Sequence, residues 1–383
     1  MISKRMENLH PYVPGEQPND RAYIKLNANE NPYPPAPEVC DALTDFIRSS
    51  PMKLALYPDP DSNELKKAVA DMLNDTGGVL CRAYTDETKC TSSAQDKIPF
   101  TVTPDMIYAG NGSDEVLSFL FYAFFDCETP LILPEHTYSF YPVYSAFYGI
   151  ETERIALKKD WSLDVEAILQ SAAENNSPII FANPNAPTGI ALSRDEVRSM
   201  LSAAPKDRVF VVDEAYADFG GESCIPLLEE FTNLVIVRTF SKSFSAAGMR
   251  LGYIVASPEL IRTVITVKNS VNHFPIDVLA QTAGIAACKC APYYARCAKM
   301  IAEERDDFIQ FLRTNGWNVI PSVTNFVFAS HPSMKGEDVY RKIKSQGILV
   351  RHFNTAGIEN YVRITIGTSE QMQLLKNVID RMS

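Results

Sequence analysis

LVIVRTFSKSFSAAGMRLGYIV, residues 234–255, decides the fold. Apolar runs at 234–237 and 251–255 flank RTFSKSFSAAGMR at 238–250, where Lys242 sits between small hydroxyl residues with Arg250 downstream. Short continuous apolar runs of this kind read as strands buried on both faces. A lysine held between two such strands is partly desolvated, and desolvation favours the neutral amine. The neutral amine is a carbonyl nucleophile and a base. By itself Lys242 reads more readily as a surface lysine that follows a strand; its surroundings have to shift that reading.

Outward from this segment, strands and helices alternate. A strand at 105–109 leads into GNGSDE at 110–115 and an apolar helix, VLSFLFYAFF. LIL at 131–133 is a buried strand, followed by the aromatic run PEHTYSFYPVYSAF, a turn and a helix. A strand at 151–156 and a helix at 164–174 precede PIIFANPNAPTG at 178–189, a strand that ends in a Pro/Asn/Gly loop. SRDE at 193–196 is a capping box, and RVFVVDEAY at 208–216 is a further apolar strand, ending in Asp213. This pattern predicts an α/β fold, a mostly parallel sheet covered by helices on both faces. Upstream, residues 8–37 are rich in Pro, Asn and Tyr and read as an extended arm that must lie on a second domain or subunit. Helices are expected at 38–48 and from Ser62 to about Asn74, and an irregular insertion at 75–103. After residue 272 a helix-rich stretch, 276–314, gives way to the short strands WNVI, TNFVFA, GILVR and YVRITIG, a smaller α+β unit. The expected organisation is an arm at 1–37, a large domain at 38–272 and a small domain at 273–383.

The 383 residues suffice for about two domains. A hydrophobic content of 46% and a charged content of 22% are ordinary for a globular protein. The net charge of −11 argues against nucleic acid or an anionic membrane as partner. An anionic substrate therefore needs a local cluster of arginines. Eight scattered cysteines make no disulfide framework, and Cys288, Cys290 and Cys297 lack a histidine at metal spacing. Reduced thiols, the lack of an apolar leader in MISKRMENLHPYVPGEQP and the lack of a long apolar run point to the cytoplasm.

Ligands of open α/β sheets bind beyond the carboxyl ends of the strands, and the unusual polar residues fall there. In GNGSDE the glycines permit a tight turn, and Ser113 and Asp114 stand at the mouth of a helix whose free amides favour a phosphate. Thr239, Ser241 and Arg250 add donors. Asp213, at the end of a buried strand, needs a cation; with no cluster of histidines or carboxylates beyond Glu214, no metal is expected, and a protonated ring nitrogen serves. Tyr216 reaches the same place, and Tyr138 offers a ring face to a planar cofactor or belongs to an aromatic core. An amine, a carboxylate for a pyridinium, a phosphate cup and an aromatic lid are what a pyridoxal-phosphate enzyme requires.

The chain resembles the fold-type-I aminotransferases, most closely the histidinol-phosphate aminotransferase family. The match covers nearly the whole chain: PYVPG, LNANENP, YPDP, GNGSDE, NPNAPTG, VVDEAY, SKSFSAAGMRLGY, TNFVF, ILVR and VRITIG. The resemblance implies a fold-type-I pyridoxal-phosphate (PLP) transferase, with a large domain built on a mostly parallel mixed sheet and a smaller α+β domain. It implies Lys242 as the Schiff-base lysine and Cα proton shuttle, Asp213 as partner of the pyridine nitrogen, Tyr216 on the phenolic oxygen and Tyr138 on the ring. Gly112, Ser113, Asp114, Thr239, Ser241 and Arg250 hold the phosphate, with Tyr57 reaching the neighbouring subunit's phosphate in a homodimer. Arg363 receives the substrate carboxylate and Arg351 the substrate phosphate, beside Asn29 and Asn325. The family pattern has Asn where this chain has Ala186; either Asn185 takes over its bond to the phenolic oxygen, which is the expectation, or Tyr216 carries that contact alone. The implied reaction moves an amino group between histidinol phosphate and 2-oxoglutarate. Aromatic amino acid transamination and phosphothreonine decarboxylation are the alternatives on the same scaffold.

Overall fold

A computed structural model describes residues 9–80 and 98–382, the backbone of 84–86 and 89–90, and Ile2, Ser3 and Met6. Among the described residues the largest sheet has seven strands, in the order Ile107–Asn111, Leu251–Ala256, Leu234–Thr239, Phe210–Asp213, Ile179–Ala182, Leu131–Pro134, Thr152–Ile155. Leu251–Ala256 runs antiparallel to both its neighbours, and every other pairing is parallel. Leu234–Thr239 and Leu251–Ala256 are buried along their whole length, as a sheet covered on both faces requires. Local chemistry trims the expected bounds. Pro104–Met106 form a 3₁₀ turn, so the first strand starts at Ile107. The ladder of the 208–216 run spans only Phe210–Asp213, after which the chain turns away. Ser193 and Glu196 make both bonds of the expected capping box. The helix after Ser62 starts differently: Ser62 is left-handed (φ 49), and Asp59 caps instead, its Oδ2 accepting the Asn63 N–H at 2.7 Å.

A second, four-stranded antiparallel sheet has the order Asn318–Ile320, Phe326–Ser330, Tyr361–Thr365, Arg351–His352. Helices Gly336–Ser345 and Ser369–Asp380 contribute to its core. Helix Val278–Lys289 packs on helices Pro37–Ser49 and Asn63–Thr76 and belongs to the core of the larger unit. Its small residues permit the close approach: a Cβ at Gly284 would lie 2.7 Å from Leu65 and 2.8 Å from Leu251. The larger core continues to Ala295 and the smaller begins at Ala298, both on helix Ala291–Thr314. The expected boundary at 272/273 thus falls ahead of a helix that packs with the large sheet.

The arm lies on the smaller unit of its own chain. Ile24–Lys25 pair in parallel with Ile348–Leu349, Arg21 donates to Lys344 O at 2.8 Å, and Glu16 binds Lys344 and Tyr340. The ends of the 75–103 insertion are clipped by Asn74, which donates to Val102 O at 3.0 Å and accepts from Val102 N at 2.9 Å. Within it Tyr84–Asp86 and Lys89–Cys90 form an antiparallel pair, where sequence suggested only irregular chain. Its remaining residues 81–83, 87–88 and 91–97 lie outside the described residues. Among the described residues no helix is long and apolar enough to cross a membrane.

Candidate active site

Asp213 closes strand Phe210–Asp213 and is 4% exposed. Its Oδ2 accepts the Tyr141 hydroxyl at 2.8 Å and its Oδ1 the Ala215 N–H at 3.1 Å, both neutral donors. Burial raises its pKa to about 6, against the pull of those two bonds and with Glu214 adding to the rise. A buried carboxylate in this state is completed by a cation, and a protonated pyridine nitrogen is one. Tyr141 escaped sequence reasoning. It lies three residues after Tyr138 in an aromatic run, and nothing local marks it off from core.

Three segments converge on the start of helix Gly112–Phe124, which has no side-chain cap. Gly112 has φ 77, and a Cβ there would lie 2.6 Å from Arg250 Nη2. Gly252 pairs with Gly110 on one side and Thr239 on the other. The space its Cβ would need is filled by Ser113 N and Gly112 C. The result is a cradle of backbone amides backed by Thr239 and Ser241, the geometry that suits a phosphate. Arg250 Nη2 pairs with Asp114 Oδ2 at 2.7 Å, and the Tyr138 hydroxyl donates to Asp114 Oδ1 at 3.2 Å. Thr239 donates to Leu251 O at 3.4 Å and accepts the Ser241 N–H at 3.1 Å. Gly252→Ala pushes a methyl group into these amides; equilibrium binding should show cofactor affinity down by at least about tenfold. Unchanged affinity would place the phosphate elsewhere.

Lys242 Nζ donates to Ala28 O at 3.2 Å and stands 5.7 Å over the ring of Tyr216. The Tyr216 hydroxyl accepts from Asn29 Nδ2 at 2.8 Å. Asn29 is itself held in a left-handed conformation (φ 55) by Thr365, whose Oγ1 accepts Asn29 N–H at 2.9 Å, and by Asn325, whose Nδ2 donates to Asn29 O at 3.0 Å. Asn31, which sequence reasoning did not single out, donates to Lys242 O at 3.0 Å and Ser243 O at 3.2 Å.

Lys242 opens into a cleft of about 430 Å³ whose walls include Tyr12, Asn29, Tyr138, Tyr216, Arg351 and Arg363. Arg351 and Arg363 are direct partners on adjacent antiparallel strands, and their guanidinium carbons lie 5.5 and 5.6 Å from the Phe353 ring centre. Arg363 Nε is buried without a partner among the described residues. Burial lowers the Arg363 pKa, and Arg351 lowers it further. Opposed like charges repel, and a buried unpaired donor costs about 1–3 kcal/mol; an anionic ligand relieves both. Arg351 meanwhile holds the arm, donating to Val13 O and Pro14 O at 3.0 Å each.

The other expected residues are placed differently. Asn185 gives both N–H groups away, to His136 O at 2.9 Å and Thr188 Oγ1 at 3.1 Å, and so has no donor left for a phenolic oxygen. Ala186 is the member of that loop which lines the cleft, with Pro187. Asn325 is fully buried behind Asn29 rather than on the cleft wall. Tyr57 is 83% exposed and stacks on Phe274 at 4.5 Å, outside the cleft.

Residues 21–379 match the class I and II aminotransferase family. A histidinol-phosphate aminotransferase of Syntrophus aciditrophicus is 45% identical over 383 residues, covering 100% of this chain and 98% of that protein. One from Acinetobacter baylyi is 41% identical, covering 98% and 96%. Among solved structures, the Sinorhizobium meliloti histidinol-phosphate aminotransferase in complex with pyridoxal-5'-phosphate superposes with a TM-score of 0.78 at 24% identity, covering 95% of this chain and 92% of that one. A Thermus thermophilus aspartate aminotransferase mutant superposes at 0.81 with 19% identity, covering 100% and 98%. With this lysine, carboxylate and amide cradle in place, the chain belongs to the class I and II aminotransferases and, within them, to the histidinol-phosphate aminotransferase family.

Proposed function

We propose that the protein transfers the amino group of histidinol phosphate to 2-oxoglutarate on PLP held at this site. The observation that carries the reading is the opposed pair Arg351 and Arg363 in the cleft that Lys242 lines. They answer the need of doubly functional anionic substrates in a chain of net charge −11. When bound, PLP supplies an electron sink for charge developing at the substrate Cα. Lys242 would hold the cofactor through its side-chain amine and would serve as the base that moves the proton at the substrate Cα. Asp213 would pair with the ring nitrogen and favour its protonated form. Tyr216, whose oxygen accepts the Asn29 N–H, would donate its own proton to the phenolic oxygen, the role for which Asn185 has no free donor. Tyr138 would cover the ring, and the 112–114 amides with Thr239, Ser241 and Arg250 would hold the phosphate. Asn29 and Asn325 shape the substrate side, Asn325 through Asn29.

The working form is a homodimer in which Tyr57 reaches the partner's phosphate. An exposed apolar stretch supports this, with Met52, Leu54, Leu56 and Tyr57 at 71%, 49%, 64% and 83% exposure. The two domains divide within helix Ala291–Thr314, where the cores separate. A cytoplasmic setting accords with the free thiols of Cys40, Cys127, Cys224, Cys288, Cys290 and Cys297.

Arg351→Ala tests the substrate assignment. It should lower kcat/KM for histidinol phosphate by about 10²-fold, a lost charge-assisted pair of about 3 kcal/mol, and that for glutamate by less. Equal losses would refute the role given to Arg351.

A further inference from the structure

Beneath the site lies a cluster of charges that the chemistry above does not use. The side chains of Glu214, Asp218 and Arg238 are 0%, 9% and 3% exposed. Arg238 Nε bonds Glu214 Oε2 at 3.0 Å, its Nη1 reaches Asp218 Oδ1 at 3.4 Å, and its Nη2 donates to Gly78 O. Ser223 Oγ, at 2.9 Å, and the Cys224 N–H occupy the rest of Glu214. Asp218 Oδ1 accepts the Leu80 N–H at 3.0 Å, and its Oδ2 accepts the Ser243 hydroxyl at 2.6 Å. Burial works against the charge of Arg238, but the two carboxylates outweigh it and hold the guanidinium protonated.

Burying three ions costs several kcal/mol each before pairing, and apolar residues of the same volume are often as stable. Stability alone therefore does not account for the cluster; its position does. Glu214 directly follows Asp213, Ser243 directly follows Lys242, and Arg238 comes from the strand that leads to Lys242. From the other side Asn31 grips the same peptide through Lys242 O and Ser243 O. The aldehyde carbon and the nitrogen of a pyridoxal ring lie at opposite ends of the ring, so Lys242 and Asp213 must keep a fixed separation.

We propose that the Arg238–Glu214–Asp218 cluster is a positioning element that holds Lys242 in register with Asp213, through the Asp218–Ser243 hydrogen bond. This rests on the roles given to Lys242 and Asp213 above. Ser243 and Asp218 are positioning residues; neither lines the cleft. The cluster carries two acids against one base, and the surplus negative charge adjoins Asp213, where it favours a cation at the ring nitrogen.

The test uses the PLP-loaded enzyme. Ser243→Ala removes the hydroxyl alone. It should lower kcat on the order of tenfold through misplacement of the amine, with KM changed by less than about twofold. It should also move the pH midpoint of the visible band of the lysine-bound cofactor by about 0.5 or more, because that midpoint reports the surroundings of the Lys242 nitrogen. Asp218→Asn removes the charge and leaves one acceptor oxygen for three donors, Leu80 N–H, Arg238 Nη1 and the Ser243 hydroxyl, and should change both readouts with the same sign; it stands in if Ser243→Ala does not fold. Wild-type kcat and midpoint in both variants, whatever their melting temperatures, overturn the proposal. The midpoint needs no substrate, so the comparison holds even if another amino donor proves to be preferred. A wild-type protein without the band overturns the cofactor reading and this inference together.

Discussion

Lys242→Ala should fold, bind the cofactor's phosphate and fail to transaminate, with kcat down by more than about 10⁴-fold, the upper range for a single proton-transfer group. The size follows from the two roles proposed for one atom: the amine that would hold the cofactor and the base that would move the Cα proton. Little else depends on it. Lys242 Nζ donates to Ala28 O, and the phosphate cradle is built from Gly112, Ser113, Gly252 and Arg250 without it. The melting temperature of the cofactor-free variant should therefore lie within a few degrees of wild type, about 1 kcal/mol. Retained turnover above one hundredth of wild type would remove Lys242 from the chemistry.

Asp213→Asn has the second largest expected effect, a fall in kcat of about 10²–10³-fold, the scale of losing one preorganised electrostatic contact in a dry site. An amide does not hold a proton on the ring nitrogen, while its shape and the Tyr141 bond are nearly kept. The same substitution leaves a trace in the stability of the cofactor-free protein. Asp213 titrates near 6 when folded, against 3.8 for the unexceptional side chain. A carboxyl whose folded pKa is raised binds its proton more tightly in the native state. Its contribution is fully present below pH 3.8 and is lost as pH rises through 6. The loss is about 3 kcal/mol across that window. Denaturant unfolding of wild type and Asp213→Asn at several pH values isolates it: the difference between them should shift against wild type from pH 4 to pH 7. A difference independent of pH would mean that Asp213 is not desolvated.

The parallel sheet and the polar residues at its strand ends were legible because each strand is a short apolar run stopped by a residue that cannot belong to one. Asp213 after FVV and Lys242 after LVIVRTFS stand out for that reason. Contacts made by side chains from distant segments were not. Asn185 looks free in NPNAPTG, and only the fold brings His136 O to its amide. Tyr141 and Tyr138 share one aromatic run, yet one buttresses Asp213 and the other reaches Asp114. Helix Val278–Lys289 carries small residues that suit either core, and only packing against Leu65 and Leu251 settles which. Arg238 reads as a break in an apolar strand, and its two acids lie 24 and 20 residues away in sequence.

Transamination of histidinol phosphate is tested most directly by glutamate formation from 2-oxoglutarate. The purified PLP-loaded protein is given histidinol phosphate, phenylalanine or phosphothreonine in parallel, with CO₂ release followed for the last. The highest kcat/KM is expected for histidinol phosphate, with no CO₂ released. Good turnover of phenylalanine with none of histidinol phosphate, or CO₂ from phosphothreonine, would contradict it.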